Sequence, residues 1–130
     1  MKIVELIKSL PDYIGSNGRS DADISCAEKQ LKTQFSPEYT QYLQQIGLAA
    51  FDGRELTGLC KDKRLNVVDV TLEERSRNQS IPENWYVVEQ ANIDGIVFWQ
   101  APNSSIYQTS PNMPCKKICN SLSDYLLKTT

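Results

Sequence analysis

Apolar residues in the first third of the chain recur at intervals of three and four positions, the spacing of one helix face. The segment 2–10 follows this pattern and predicts a helix that Pro11 ends. After a loop rich in glycine and serine, a second helix is predicted to begin between Ser20 and Asp23, although a further capping-box pattern at Ser25 leaves its start ambiguous. Its predicted buried residues are Ile24, Ala27, Leu31 and Phe35.

A third helix is specified at both of its ends. Ser36 is a suitable N-cap, Pro37 occupies the first helical position, and Glu38 favours the positive end of the helix dipole. Gly47 suits the position that follows the last turn. The helix has only about three turns, so packing of its apolar face stabilises it more than intrinsic propensity does. That face consists of Tyr39, Tyr42, Leu43 and Ile46.

From Leu48 onward, short runs of β-branched and aromatic residues alternate with turn residues. The predicted strands cover 53–59, 65–70, 85–91, 95–101 and 105–110, with a further candidate at 115–119. Thr71 is predicted to cap a short helix before the third of these strands, and Ser121 to cap a last helix. The sequence therefore predicts a single α+β domain over 1–130, with a largely antiparallel mixed sheet of about five strands and helices packed on one side.

The charge balance argues against a nucleic-acid-binding protein. The net charge is −2 and the pI is near 5.1, whereas nucleic-acid-binding domains usually carry a basic surplus. The first ten residues lack the pattern of a signal peptide, and no apolar stretch approaches the length of a membrane-spanning helix. We therefore expect a cytoplasmic protein that contacts neither nucleic acid nor membrane directly.

The composition offers few groups for catalysis or metal binding. The chain contains no histidine, and its four cysteines, at positions 26, 60, 115 and 119, include no C-x2-C pair. A zinc site is therefore disfavoured, and reduced thiols are the preferred interpretation. Carboxylate pairs such as Asp52 and Glu55 are better explained as solvated surface than as an acid–base pair. We predict no catalytic residue, no metal and no cofactor, and keep a carboxylate- or thiol-dependent enzyme as the least favoured hypothesis.

The predicted meander concentrates aromatic residues, namely Trp85, Tyr86, Phe98, Trp99 and Tyr107. Neighbours on a strand point to opposite faces, so Trp85 and Tyr86 cannot share a face, and neither can Phe98 and Trp99. Either another element covers the outer aromatic residues, or they form part of a partner-binding surface. Three acidic residues and no Lys or Arg lie between positions 83 and 113, which would suit a basic partner.

Several short patterns follow one another in a distinctive order. They are Ile24, Glu28 and Leu31 on the second helix, Pro37, Glu38, Tyr39, Tyr42 and Leu43 on the third, then Gly47, and Gly58 with Leu59. As a set, over roughly residues 20–128, they resemble the SUKH superfamily, which includes yeast cell-wall-assembly regulators and many bacterial immunity proteins. The segments 66–78 and 81–88 are similar to the middle region of that superfamily, and 118–127 is similar to its closing helix.

The resemblance implies that the protein neutralises a cognate toxin, commonly a nuclease or deaminase, by stoichiometric binding that blocks its active site or substrate groove. It also implies that the third helix is a scaffold for the sheet that binds the toxin. The alternative is a regulatory or scaffolding adaptor of the same fold. We expect a monomer or a weak dimer. The residues predicted to contact the partner are Asp52, Glu55, Glu89, Asp94, Trp99 and Tyr107.

Overall fold

The computed structural model of the protein describes residues 2–130. Within this range the five helices are α1 (Ile3–Lys8), α2 (Asp21–Leu31), α3 (Pro37–Gln45), α4 (Val67–Arg77) and α5 (Leu122–Thr129). The seven strands are β1 (Ile14–Gly15), β2 (Ala49–Phe51), β3 (Arg54–Glu55), β4 (Tyr86–Gln90), β5 (Val97–Gln100), β6 (Ile106–Ser110) and β7 (Met113–Cys119).

The strands form two antiparallel sheets with the orders β1-β2-β3 and β4-β5-β6-β7. An isolated antiparallel bridge between Leu56 and Glu89 joins the end of β3 to β4, and the Thr57 N–H donates to the Val88 carbonyl at 2.9 Å. The prediction of an α+β fold with antiparallel strands is confirmed. The prediction of a single sheet of about five strands is corrected, because the described residues form two sheets with seven strands in all. Two of these strands, β1 and β2, lie outside every predicted strand.

Three helices begin where the sequence predicts a cap. Ser20, Ser36 and Ser121 each accept, through the side-chain hydroxyl, a hydrogen bond from the backbone N–H three residues further on. After α3, Gly47 adopts a φ of +79°, and a Cβ at this position would lie 2.5 Å from the Asn17 carbonyl oxygen. Glycine is therefore required there both by conformation and by space.

The predicted strand over 65–70 is wrong, because residues 67–70 form the start of helix α4. The Asn66 side chain caps this helix by accepting hydrogen bonds from two backbone N–H groups of its first turn. Thr71, predicted as the cap, is buried inside the helix, where its hydroxyl accepts a hydrogen bond from the Val87 N–H at 3.0 Å. The run of valines resembles a buried strand because all of these valines are buried. Val67 and Val68 pack in the main core, and Val70 packs in a second cluster with Val87, Val97 and Trp99.

The four-stranded sheet is covered on both faces at β4 and β5, whereas most of β7 is exposed. Tyr86 and Val88 extend from β4 into the main core, to which α1, α2, α3 and α5 contribute. Val87 and its cross-strand partner Trp99 point to the opposite face, where Val70 of α4 joins them in a second cluster. The prediction that the helices pack on one side is therefore wrong for α4.

The aromatic residues of the meander divide into covered and half-exposed groups. Trp99 is 0% exposed, and its Nε1 donates a hydrogen bond to the Thr109 hydroxyl at 2.9 Å. Trp85 and Tyr107 are half-buried and stack on one another with ring centroids 3.9 Å apart. Another element thus covers Trp99, whereas the Trp85–Tyr107 pair reaches solvent on the second face.

Buried tyrosine hydroxyls fix α3 to the segment that follows β3. The Tyr39 hydroxyl lies 2.8 Å from the Thr57 hydroxyl, and the Tyr42 hydroxyl donates to the Thr57 carbonyl at 2.8 Å. Burial raises the pKa of both phenols, and it also raises the pKa of Tyr86 and Tyr125. Each of these four hydroxyls therefore stays protonated in the folded protein.

Replacing Trp99 with alanine should lower the free energy of unfolding by about 3–5 kcal/mol, because a fully buried indole is lost. Urea unfolding followed by circular dichroism measures this change. Trp85→Ala is the matched control and should cost clearly less, because Trp85 is half-buried. Equal losses in the two variants would contradict the placement of Trp99 in the core.

The four buried tyrosines predict unfolding at alkaline pH. Their pKa is raised in the folded state, so above the ordinary value of about 10 the unfolded chain loses protons that the folded chain keeps. The free energy of unfolding should therefore be unaffected by these groups below pH 10 and fall as the pH rises beyond it. Phenolate absorbance should increase together with the loss of circular dichroism. Ionisation of all six tyrosines before any loss of structure would refute this prediction.

Candidate functional site

The structure brings two of the predicted contact residues, Asp52 and Asp94, to one end of the sheets. Asp52 lies in the turn between β2 and β3, and Asp94 lies between β4 and β5. Because neighbouring strands run antiparallel, these turns and the β6–β7 turn project from the same end. We call the surface formed by residues 52–53, 91–96 and 110–113 the turn end.

The turns of this surface are held against their neighbours. The Asp52 N–H donates to the Pro11 carbonyl at 2.8 Å, which ties the β2–β3 turn to the loop that follows α1. A Cβ on Gly95 would lie 2.9 Å from Pro111, so the β4–β5 and β6–β7 turns are in contact. Asp52 and Asp94 are exposed, with φ values of 50° and 55°. The two carboxylates are therefore presented to solvent by fixed turns.

Glu89, the third predicted acid in this region, is not a surface charge. Its side chain is 5% exposed and forms a bidentate ion pair with Arg54, with Nε–Oε2 and Nη2–Oε1 distances of 3.0 and 2.7 Å. The Tyr125 hydroxyl donates a further hydrogen bond to Oε1 at 2.6 Å. The prediction that Glu89 meets a partner as a free acid is therefore corrected, because its charge is already compensated inside the fold.

Arg54 connects three elements through its guanidinium group. Besides Glu89 on β4, it donates from Nη1 to the Thr129 carbonyl and hydroxyl on α5, at 3.2 and 2.9 Å. Burial lowers the pKa of Arg54, but the hydrogen bonds and the charge of Glu89 outweigh burial and leave the pKa raised. Burial, followed by the Glu89 charge, raises the pKa of Tyr125. The ion pair and the neutral phenol thus stabilise one another.

A cleft of about 300 Å³ lies beside this ion pair. Its apolar walls include Ala91, at the start of the β4–β5 turn, and Phe98, whose ring centroid lies 5.1 Å from that of Tyr125. The complete lining consists of Arg54, Glu89, Ala91, Phe98, Tyr125 and Thr129. The cleft therefore adjoins the turn end and offers apolar walls above a compensated pair of charges.

The remaining three predicted contact residues lie elsewhere. Glu55 is half-buried and pairs with Arg64 at 2.8 Å, and the hydrogen bonds from Arg64 lower the pKa of Glu55. Tyr107 lies on the second face of the sheet. Trp99 lies beneath the same face, so the prediction that it contacts a partner is corrected, because its indole has no exposed surface. These residues do not form one site with the turn end.

Sequence reasoning missed three residues that shape this region. Ile93, at the tip of the β4–β5 turn, is 63% exposed, and an apolar residue inside the turn sequence Asn-Ile-Asp-Gly was a signal that could have found it. Arg54 and Tyr125 carried no such signal, because they meet Phe98, one of the aromatic residues of the predicted meander, only through the tertiary structure.

Three of the four cysteines are disfavoured as nucleophiles. Burial raises the pKa of Cys60, Cys115 and Cys119, which favours the protonated thiol over the nucleophilic thiolate. Among residues 2–130, no group of three or more His, Cys, Asp or Glu side chains could hold a metal ion. Over the same range, no helix has the length and apolar character needed to cross a membrane.

These observations define a small α+β domain whose acidic turns contact neighbouring loops and turns. The SUKH_5 family model, described as SMI1-KNR4 cell-wall, matches residues 2–129. The chain therefore belongs to this family of the SUKH superfamily, and the resemblance found in its sequence is confirmed. A comparison with curated proteins finds no match.

Replacing Arg54 with methionine should lower the free energy of unfolding by about 3–5 kcal/mol, because it leaves the buried Glu89 carboxylate without its counter-ion. Adding Glu89→Gln should recover part of this loss, since the uncompensated charge disappears while Tyr125 keeps an acceptor. Urea unfolding of the two single variants and the double variant measures the coupling.

Arg64→Met is the matched control for this cycle. Its ion pair with Glu55 is largely exposed and screened by solvent, so the expected loss is much smaller than that of Arg54→Met. Equal losses for Arg54→Met and Arg64→Met would show that the Arg54–Glu89 pair contributes no more than a surface ion pair.

Proposed function

We propose that the protein is an immunity protein that binds a bacterial toxin in the cytoplasm and neutralises it by covering its active site or substrate groove. Membership of the SUKH superfamily supports this function, because immunity proteins are one of the classes that the superfamily contains. The single structural observation that carries the proposal is the turn end, where exposed Asp52 and Asp94 are presented by turns that contact neighbouring segments.

The chemistry of such a surface suits inhibition by binding. A toxin that acts on nucleic acid carries a basic surface for its substrate, and exposed carboxylates can occupy that surface in place of phosphates. The net charge of −2 favours the encounter at low salt. Neutralisation of this kind needs affinity and a slow dissociation rate, and it needs no catalytic group on the immunity protein.

A regulatory adaptor is the second candidate, and the family description favours it. The matching model is described by its SMI1-KNR4 cell-wall members, which are regulators in the resemblance drawn from the sequence. An adaptor would bind several host proteins with moderate affinity, whereas an immunity protein would bind one toxin tightly. The two functions therefore differ in the number of partners and in their affinity.

Co-expression with the toxin genes that neighbour its own gene tests the proposed function. We expect the protein to restore growth to cells that produce one of these toxins, and to co-purify with a catalytically inactive form of that toxin in a one-to-one complex. An unrelated toxin of the same enzymatic class is the control and should remain lethal. Failure to restore growth with every neighbouring toxin, together with recovery of resident host proteins, would replace the immunity function with the adaptor function.

A further inference from the structure

We propose, resting on the function proposed above, that the turn end and the adjoining cleft dock a protein partner that presents an apolar side chain flanked by basic residues. Three observations lead to this surface and to this partner. They are a strip of exposed apolar side chains, a cleft whose floor is the Arg54–Glu89 ion pair, and a set of turns that carry the exposed carboxylates of Asp52 and Asp94.

The apolar strip runs across two adjacent turns. Ile93 at the tip of the β4–β5 turn is 63% exposed, and Met113 at the start of β7 is 66% exposed. Pro111 packs against Gly95 between them, so the two turns form one continuous surface. Large apolar side chains held in solvent on fixed turns are typical of surfaces that another protein covers.

The cleft can receive an apolar side chain without leaving a charge unpaired. Phe98 and Tyr125 form its walls, and the charges of Arg54 and Glu89 at its floor are already paired with one another. A volume of about 300 Å³ leaves room for a large side chain from a partner. A partner's ionised side chain would be less suitable here, because it would lose water and meet a charge that is already compensated. The cleft therefore selects an apolar anchor.

The charges around the cleft select the residues that flank this anchor. Asp52 and Asp94 are exposed on the turns at either side, and the segments 52–53, 91–96 and 110–113 contain no Lys or Arg. Lys116 and Lys117 lie on β7 and Lys128 lies on α5, outside these turns. A second copy of the chain would bring these acids against one another, whereas a basic partner complements them.

The test uses a display library of random peptides selected against the immobilised full-length protein, so that it does not depend on finding the toxin. We expect enriched peptides to carry a large apolar residue with Lys or Arg within a few positions. Enrichment of acidic peptides, or no enrichment at all, would overturn the proposal.

Binding of an enriched peptide is then measured with variants of the protein. Ile93→Ala should weaken binding about tenfold, whereas Leu72→Ala, a matched exposed apolar residue on α4, should leave it unchanged. Ala91→Met should also weaken binding, because the longer side chain fills the cleft. Urea unfolding of each variant confirms that the fold is retained.

The acids are tested by Asp52→Asn combined with Asp94→Asn, because asparagine tolerates the left-handed backbone of both residues. This double variant should lower the association rate and its dependence on salt. Glu83→Gln is the control, since Glu83 is an exposed acid that precedes β4 and so lies toward the opposite end of that strand. Equal effects of the double variant and the control would exclude the turn end.

Two further outcomes decide against the proposal. Self-association of the protein that Ile93→Ala abolishes would show that the surface docks a second copy. Peptide binding that none of the turn-end variants alters would place the docking surface elsewhere. If either result were found but the protein still rescued cells from a toxin, the proposed immunity function would stand without this docking surface. If the variants confirmed peptide binding at the turn end but no toxin were neutralised, the docking surface would stand without the immunity function.

Discussion

The buried ion pair between Arg54 and Glu89 is the interaction on which the arrangement of the molecule depends. It lies where the two sheets meet, next to the isolated bridge between Leu56 and Glu89 that joins them. The hydrogen bonds from Arg54 to Thr129 and from Tyr125 to Glu89 attach the last helix to the same point. Because a buried charge is stable only with its partner, β3, β4 and α5 must assemble together for any of them to be correctly placed.

This constraint explains how a domain with short strands can present a rigid surface. β3 contains only two residues and could not position the β2–β3 turn by its own pairing. Arg54 follows that turn directly, and its anchorage to β4 and α5 fixes the start of the strand. On the other side, α3 supports the same region through the hydrogen bonds of Tyr39 and Tyr42 to Thr57. The strongly specified third helix thus has a structural role in supporting the sheet junction.

The features that the sequence predicted are those with local causes. Ser36 and its N–H partner are three residues apart, so the start of α3 can be read from the chain. Arg54 and Glu89 are 35 residues apart, and no local pattern links them, so Glu89 was expected to be a free acid. The alternation of strand residues correctly placed Phe98 and Trp99 on opposite faces, but it could not show that α4 covers one of those faces. The candidate site was predictable at the exposed turn acids and not at the cleft, which only tertiary contacts create.

The structure divides its acidic residues between the fold and the surface. Glu89 cannot change without leaving Arg54 unpaired, so its charge is tied to stability. Asp52 and Asp94 make no contribution of this kind, but their left-handed backbone favours aspartate, asparagine or glycine. Exchange among these three residues changes the charge of the turn end and preserves the shape of each turn. A protein of this design can therefore adjust its electrostatic fit to a changing partner while the buried ion pair keeps the scaffold constant.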